Sequence, residues 1–272
     1  MIQIDVKKII RTQKNSAIKN LPGFVINFIK WLIKEKELNK ILKKTSDLKN
    51  YEFNEAVSNY LNIKYNVIGA ENIPDNPQII MAGNHALGGI DFFALTHAIK
   101  DKFPKINHIT NEILMAIKPI EALCIPVNVF GKNSETQKQE LEERIADNSI
   151  PLTIFPSGEV TRKDKGILND GLWRSGFIRY AQKYHKDVVP FYIPTENSKY
   201  FYTLAKWRKK FGIKANIELF LLPRELIKQR NKTITIIFGK PIPYQSFENK
   251  KNIHEWAAEV KRLAYALNNQ SI

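Results

Sequence analysis

Apolar positions along the chain recur with two periods. Ile63-Lys-Tyr-Asn-Val-Ile-Gly-Ala70 alternates as a half-buried strand does, and a Pro-Asp-Asn-Pro turn follows at 74–77. Ile79 to Gly83 is apolar throughout and predicts a central strand. Further strands are predicted within Pro119–Lys132, over Pro151–Phe155 and Asp187–Ile193, and over the β-branched Thr233–Phe238. Helical spacing governs the segments between them: 46–60, the run from Asp91 through Phe92, Phe93 and Leu95, Ser134–Asp147, about 171–183 and 253–267. Asp91 stands where a helix N-cap belongs, and Ser134 with Gln137 three residues on fits a capping box. Trp173 and Phe177, four apart, are predicted to face the core. Strands alternating with helices place the chain in the α/β class.

The first 60 residues differ from the rest. Residues 1–20 are basic and weakly patterned. The apolar block Phe24–Ile33 is interrupted by Asn27 and Lys30 and is too short to cross a bilayer, which takes about 20 apolar residues. Its Phe, Ile, Trp and Leu with flanking lysines suit a helix lying in a membrane interface. Packing of the apolar face on the main domain is the other reading, and both hold if the helix bridges the two. We therefore divide the chain into an N-terminal helical, membrane-interfacial extension (1–60) and an α/β domain (61–272). Lys199–Gly212 mixes aromatics with a cationic run, and the apolar 217–222 follows. That mixture suits a membrane interface or single-stranded nucleic acid, or a helix with its aromatics in the core and its lysines in water. Membrane contact is the expectation carried forward, with no nucleic acid.

Composition sharpens this picture. The 272 residues fit one such domain, and 43% hydrophobic content supports a core. Lys+Arg number 42 against 27 Asp+Glu, a net +15 that calls for an acidic partner such as an anionic lipid surface. The single Cys124 lies in an apolar run and is expected to be a buried small residue, so no disulfide framework is possible. Lys7, Lys8 and Arg11 are not followed by a clean apolar core, so no signal peptide is expected, and the compartment is expected to be reducing. His97, His108, His185 and His254 are scattered without zinc-like spacing, so neither a metal nor a redox cofactor is expected.

The candidate chemistry lies at two predicted strand ends. After Ile79–Gly83 come Asn84-His85-Ala-Leu-Gly88-Gly89-Ile-Asp91. A neutral imidazole there can take a proton from a hydroxyl, and a carboxylate on its other nitrogen would fix the tautomer. The plainer reading is a helix cap and a polar turn residue. The second stretch is Phe155-Pro-Ser157-Gly158-Glu159-Val-Thr-Arg162-Lys-Asp-Lys165, a strand that turns and then releases basic groups suited to an anionic head group. No Ser or Cys elbow motif is present, which argues against a covalent intermediate on such a nucleophile.

These two motifs, in this order, resemble the PlsC-like lysophospholipid acyltransferases over roughly residues 60–245. In that family a His, four residues and an Asp form the catalytic pair, and a later Phe-Pro-Glu-Gly-Thr-Arg motif binds the acceptor. The resemblance implies a central mixed sheet flanked by helices. It also implies transfer of a fatty acyl group from acyl-CoA or acyl carrier protein to a lysolipid hydroxyl, most simply 1-acyl-glycerol-3-phosphate, on the cytoplasmic face of the membrane. His85 would be the base and Asp91 its partner, with backbone N–H groups near Gly88-Gly89 or 156–159 stabilising the oxyanion. Asn84, Asn128, Lys132, Ser157, Gly158, Glu159, Arg162 and Lys165 would bind substrate. The chain departs from the pattern in three places. Five residues separate His85 from Asp91, Ser157 replaces the usual Glu, and Arg162 stands two positions late. The altered motif leaves room for a lyso-aminolipid such as an ornithine or glycine lipid. Glu159 would pair with an amine there and would repel a phosphate. A non-catalytic basic membrane- or nucleic-acid-binding protein, or a lysophospholipase, are the competing classes.

Overall fold

The computed structural model describes residues 3–11, 19–127, 135–164, 166–212, 216–248 and 251–270. Its strands are β1 (Lys64–Ile68), β2 (Ile79–Gly83), β3 (Asn107–Asn111), β4 (Cys124–Val127), β5 (Leu152–Ile154), β6 (Arg162–Asp164), β7 (Ile167–Asn169), β8 (Asp187–Tyr192) and β9 (Thr233–Phe238). Seven of them form one sheet in the order β1-β9-β8-β2-β5-β3-β4, and β6 and β7 pair as a separate hairpin. Only the β8–β9 pairing in the large sheet is antiparallel, so the sheet is mixed.

Helices cover both faces, which is why the central strands carry almost no polar residues. They are α1 (Val6–Arg11), α2 (Gly23–Leu32), α3 (Glu35–Lys44), α4 (Asn50–Tyr60), α5 (Gly89–Ile99), α6 (Glu135–Ala146), α7 (Gly176–Tyr184), α8 (Lys199–Lys210), α9 (Leu222–Lys228) and α10 (Ile253–Ala266). The period-two alternation of β2 divides the core. Ile79 and Met81 pack with Phe53 and Val57 of α4 and with the apolar face of α5. Ile80 and Ala82 pack with Phe177 and Ile178 of α7 and with Val260 and Ala264 of α10. Each such fully buried side chain contributes roughly 1.5–3 kcal/mol.

Gly83 ends β2 for a steric reason. A Cβ there would stand 2.3 Å from the Phe191 ring and 2.5 Å from the Phe191 carbonyl oxygen. No side chain fits between β2 and β8 at this point, and the chain leaves the sheet directly afterwards.

Several expectations are revised. The N-terminal apolar block is α2, and it stops at a left-handed Lys34 before α3 starts. Asp91 is not the N-cap of α5: Gly88 holds that position, and Asp91 is the third helical residue, whose carboxylate accepts the Gly88 N–H. Helix α7 starts at Gly176, so Trp173, though buried, lies in the loop before it. Strand β3 and the β6–β7 hairpin were not anticipated, because Asn107–Asn111 is half polar and Arg162–Asn169 is largely charged. The Ser134–Gln137 capping box lies outside the described residues.

Cys124 is fully buried in β4. His108 is buried between two threonines, with Thr96 Oγ1 3.0 Å from Nε2 and Thr153 Oγ1 2.5 Å from Nδ1. The Thr96 hydroxyl already donates to the Phe92 carbonyl at 2.7 Å, so it accepts from Nε2, and Nδ1 accepts from Thr153. Both ring nitrogens are spent on joining α5, β3 and β5. His97 reaches Glu55 Oε1 at 2.7 Å near the surface.

One side of the molecule exposes aromatics. Helix α2 buries Ile26 and leaves Phe24, Phe28 and Trp31 in solvent, spaced i, i+4, i+7; Phe24 is 77% exposed. Helix α8 buries Phe201, Ala205 and Arg208 and exposes Tyr200, Trp207 and Phe211 among Lys206, Lys209 and Lys210. Between them the turn Ile217–Leu221 exposes Phe220. Leu32 of α2, Phe201 of α8 and Leu221 of that turn share one small core with Val160. Among the described residues no helix is long and apolar enough to cross a membrane.

Candidate active site

Strands β2, β5 and β8 run parallel side by side, so the loops after Gly83, Ile154 and Tyr192 emerge at one edge of the sheet. In open α/β sheets the carboxyl edge is where ligands bind. The first of these loops is held by the other two. Asn84, fully buried, donates from Nδ2 to the Ile193 carbonyl at 3.0 Å and accepts the Ile193 N–H at 2.8 Å. Asn197 Nδ2 donates to the Ala86 carbonyl at 3.0 Å. The Thr161 N–H donates to the His85 carbonyl at 2.6 Å. The side chain of Asn84 is therefore committed to joining two strand ends.

His85 Nδ1 lies 2.8 Å from Asp91 Oδ2. Asp91 is fully buried, and the same oxygen accepts N–H groups of Leu87 at 2.8 Å and Gly88 at 3.1 Å. Gly88 makes this possible with φ of +81°, a left-handed conformation that a glycine adopts freely. The five residues between His and Asp are thus accommodated by a turn folded around the carboxylate. A carboxylate that accepts from two backbone groups also accepts from the imidazole, so Nδ1 carries the proton and Nε2 keeps its lone pair. The ring stacks on Phe155 at 4.0 Å between centroids, inclined by 18°, and its side chain is 22% exposed. One ring face is covered, and Nε2 has no hydrogen-bond partner among the described residues.

The loop carrying Phe155 is a tight turn. Ser157 is buried; its hydroxyl donates to the Glu159 carbonyl at 2.8 Å and accepts the Glu159 N–H at 3.3 Å. The Gly158 N–H donates to the Phe155 carbonyl at 2.9 Å. Ser157 shapes this turn, and Gly158 and Glu159 face solvent. Of the backbone groups expected to meet an oxyanion, those of Leu87, Gly88, Gly158 and Glu159 are engaged within the two loops. Arg162 Nη2 bonds Glu218 Oε1 at 2.8 Å, and its guanidinium lies over the Phe201 ring. Glu218 is fully buried and also pairs with Arg208 at 2.9 Å. Lys163 pairs with Glu196 at 2.7 Å. Asn128, Lys132 and Lys165 lie outside the described residues.

Among the residues here that escaped the sequence reading are Thr161, Asp170 and Arg174. The Thr161 hydroxyl donates to Asp170 Oδ1, and the Trp173 indole N–H donates to Oδ2 at 3.3 Å. The Asp170 N–H donates to the Tyr265 hydroxyl of α10 at 3.0 Å. Burial raises the Asp170 carboxyl above its ordinary range, against the lowering effect of these partners and of nearby His85. The third is Arg174, whose guanidinium lies against Gly158. The Asp-Gly step at 170–171 is a turn signal that could have marked Asp170; nothing local marks Arg174. Among the described residues no group of three or more His, Cys, Asp or Glu is placed to hold a metal.

An imidazole with a fixed tautomer, a buried counter-charge and one accessible nitrogen can act as a general base toward a hydroxyl. Comparison with known proteins bears on which hydroxyl. A family model described as acyltransferase matches residues 8–271. A lyso-glycine lipid O-acyltransferase of Phocaeicola vulgatus is 35% identical over 266 residues, 97% of this chain and 95% of that protein. A lyso-glycine lipid O-acyltransferase of Bacteroides thetaiotaomicron is 35% identical over 265 residues, 97% of each. The crystal structure of the 1-acyl-sn-glycerophosphate (LPA) acyltransferase PlsC from Thermotoga maritima aligns with a TM-score of 0.47 and 16% identity, covering 90% of this chain and 89% of that one.

Proposed function

The chain belongs to the acyltransferase family, and from that premise we propose that it moves a fatty acyl group from a thioester to the free hydroxyl of a lysolipid. The acceptor hydroxyl hydrogen-bonds to Nε2 of His85. As its oxygen attacks the thioester carbonyl, the proton passes to Nε2, and Asp91 stabilises the imidazolium through Nδ1. The new C–O bond forms, the C–S bond breaks, and the departing thiolate takes the proton back from His85. The carrying observation is the 2.8 Å His85–Asp91 bond, with the acid oxygen pinned by two backbone N–H groups. General-base assistance of this kind is worth roughly 10²–10⁴ in rate.

For the acceptor we favour a lyso-glycine lipid over the lysophosphatidic acid that the motifs first suggested. Both curated relatives carry that activity in their names at 35% identity along nearly the whole chain. The donor is acyl-CoA or acyl carrier protein, which would put the protein on the cytoplasmic face of the membrane. It would bind the membrane peripherally through Phe24, Phe28 and Trp31 of α2, Phe220, and Trp207 and Phe211 of α8, with the α8 lysines meeting anionic head groups. This surface adjoins the site. Val160 of the Phe155 loop belongs to the same small core, and Leu222 lies 3.1 Å from where a Cβ of Gly88 would stand.

The test offers purified protein an acyl thioester with a lyso-glycine lipid or lysophosphatidic acid, and follows thiol release and the diacylated product. Transfer to the glycine lipid that His85→Ala abolishes, while vesicle binding is retained, supports the reading. Thiol release with free fatty acid as the sole product overturns it in favour of hydrolysis.

A further inference from the structure

Three described cations stand on or beside the Phe155–Lys163 loop, and two are ion-paired. Arg162 shares buried Glu218 with Arg208, and Lys163 is paired with Glu196. The third is Arg174. Its N–H donates to the Pro156 carbonyl at 2.9 Å, which fixes its backbone to the loop. Its Cζ, Nη2 and Nε lie 3.4, 3.6 and 3.7 Å from where a Cβ of Gly158 would stand. The residue is exposed, and its guanidinium has no acidic or hydrogen-bonding partner among the described residues. Pro156 and Gly158 both sit within three residues of Phe155, which stacks on the His85 ring. The guanidinium therefore lies against Gly158, in the turn whose Phe155 stacks on the imidazole.

We propose that Arg174, and not Arg162, selects the acceptor by pairing with a carboxylate on its head group. This rests on the acyl-transfer reading above. A planar guanidinium edge matches a carboxylate in two parallel N–H···O bonds. The charge balance favours a singly charged acid. Arg174 is the one described cation of the three without a counter-charge, and Glu159 is exposed in the adjoining turn. A phosphate dianion would leave a charge unmatched beside Glu159, whereas a glycine joined through its nitrogen presents a single carboxylate.

The experiment compares Arg174→Gln and Arg174→Lys with the unmodified protein on three acceptors that share an acyl chain. These are a lyso-glycine lipid, its methyl ester, and lysophosphatidic acid. The quantity read is the ratio of kcat/KM for the acid to that for the ester. Arg174→Gln is expected to lower this ratio about 10- to 100-fold, the range for a hydrogen bond to a charged group, mainly through KM. Arg174→Lys, a point charge without the fork, is expected to recover part of it. An unchanged ratio, with acid and ester losing equally, overturns the proposal while leaving the acyl-transfer reading intact. So does a larger loss on lysophosphatidic acid than on the glycine lipid. No transfer by the unmodified protein to any of the three would overturn the acyl-transfer reading and the proposal with it.

Discussion

The backbone N–H of Thr161 donates to the carbonyl of His85 at 2.6 Å, and the hydroxyl of the same threonine donates to Asp170. One residue thus ties His85 to a second buried acid and, through Tyr265, to helix α10. Thr161→Val keeps the backbone donor and the volume but leaves the Asp170 carboxylate with one donor fewer. The expected cost is about 1–3 kcal/mol, that of an unsatisfied buried polar group. It is read as a lower midpoint in urea, with a fall in kcat that exceeds any change in KM.

Asp91→Asn separates shape from charge. The amide preserves the volume, and its oxygen can stand where Oδ2 does and accept from Leu87, Gly88 and His85, so the change removes the charge alone. Loss of the counter-charge is expected to lower kcat/KM roughly 10²–10⁴-fold, measured by thiol release. Activity within a few-fold of the unmodified protein would mean that Asp91 only shapes the turn.

The pairing of His85 with Asp91 was legible because the two stand six residues apart, His85 in the loop after a fully apolar strand and Asp91 in the first turn of the helix that follows. What the string could not give is the way Gly88 folds that loop around the acid, which moved the helix cap from Asp91 to Gly88. Sheet strands with purely apolar or alternating patterns, β2, β8 and β9 among them, were readable from periodicity. Strand β3 was not, since His108 and Thr110 break its pattern and the His108 ring nitrogens are satisfied only by Thr96 and Thr153 on other elements. The same limit hid Glu218, which neutralises Arg162 from 56 residues away. Asp170 was marked only by the Asp-Gly step at 170–171, and nothing local marks Arg174.

Gly83→Ala tests the close approach of β2 and β8. The added methyl would overlap the Phe191 ring and its backbone oxygen, and neither can withdraw without opening the sheet. Overpacking of this kind costs about 1–3 kcal/mol or more. The variant is expected to melt lower and to lose activity, because Asn84 and His85 follow directly. Chemical unfolding and transfer assays at a temperature where the variant is still folded separate the two effects.

Two buried bases make stability depend on pH in the same direction at opposite ends of the scale. Burial pushes His108 down to about 3, so as pH falls below about 6.5 the unfolded chain binds a proton that the folded chain refuses, and stability drops. Lys186 is buried, with Nζ 2.8 Å from the Asp147 carbonyl, and burial lowers it to about 8, against a smaller raising effect of Asp147. Between about pH 8 and 10 the unfolded chain holds the extra proton, so stability rises with pH through that window. Urea titrations of the parent and Lys186→Met should differ in slope there by up to about 2 kcal/mol in total, converging once both forms of the lysine are neutral. Equal slopes would show that Lys186 keeps its charge when folded.

The exposed aromatic face makes the last prediction. Phe24, Phe28 and Trp31 lie on one side of α2 while Ile26 faces the interior, so the three can be changed without touching the packed face. Each ring that enters the acyl-chain boundary contributes on the order of 1–2 kcal/mol. The triple change Phe24→Ser, Phe28→Ser, Trp31→Ser is therefore expected to weaken vesicle binding at least about 100-fold while the melting temperature moves little. Replacing Lys206, Lys209 and Lys210 of α8 by Gln probes the electrostatic part separately, since each lysine near an anionic surface is worth about 1 kcal/mol and that share fades with salt. Aromatic loss should weaken binding to neutral and anionic vesicles alike, whereas lysine loss should act on anionic vesicles only. In both variants a micelle-dispersed acceptor should still be acylated, because His85 and Asp91 stand on a loop and a helix start that these side chains do not touch. If binding survives both sets of changes, the exposed face serves something other than the lipid surface, and the acceptor must reach His85 by another edge of the fold.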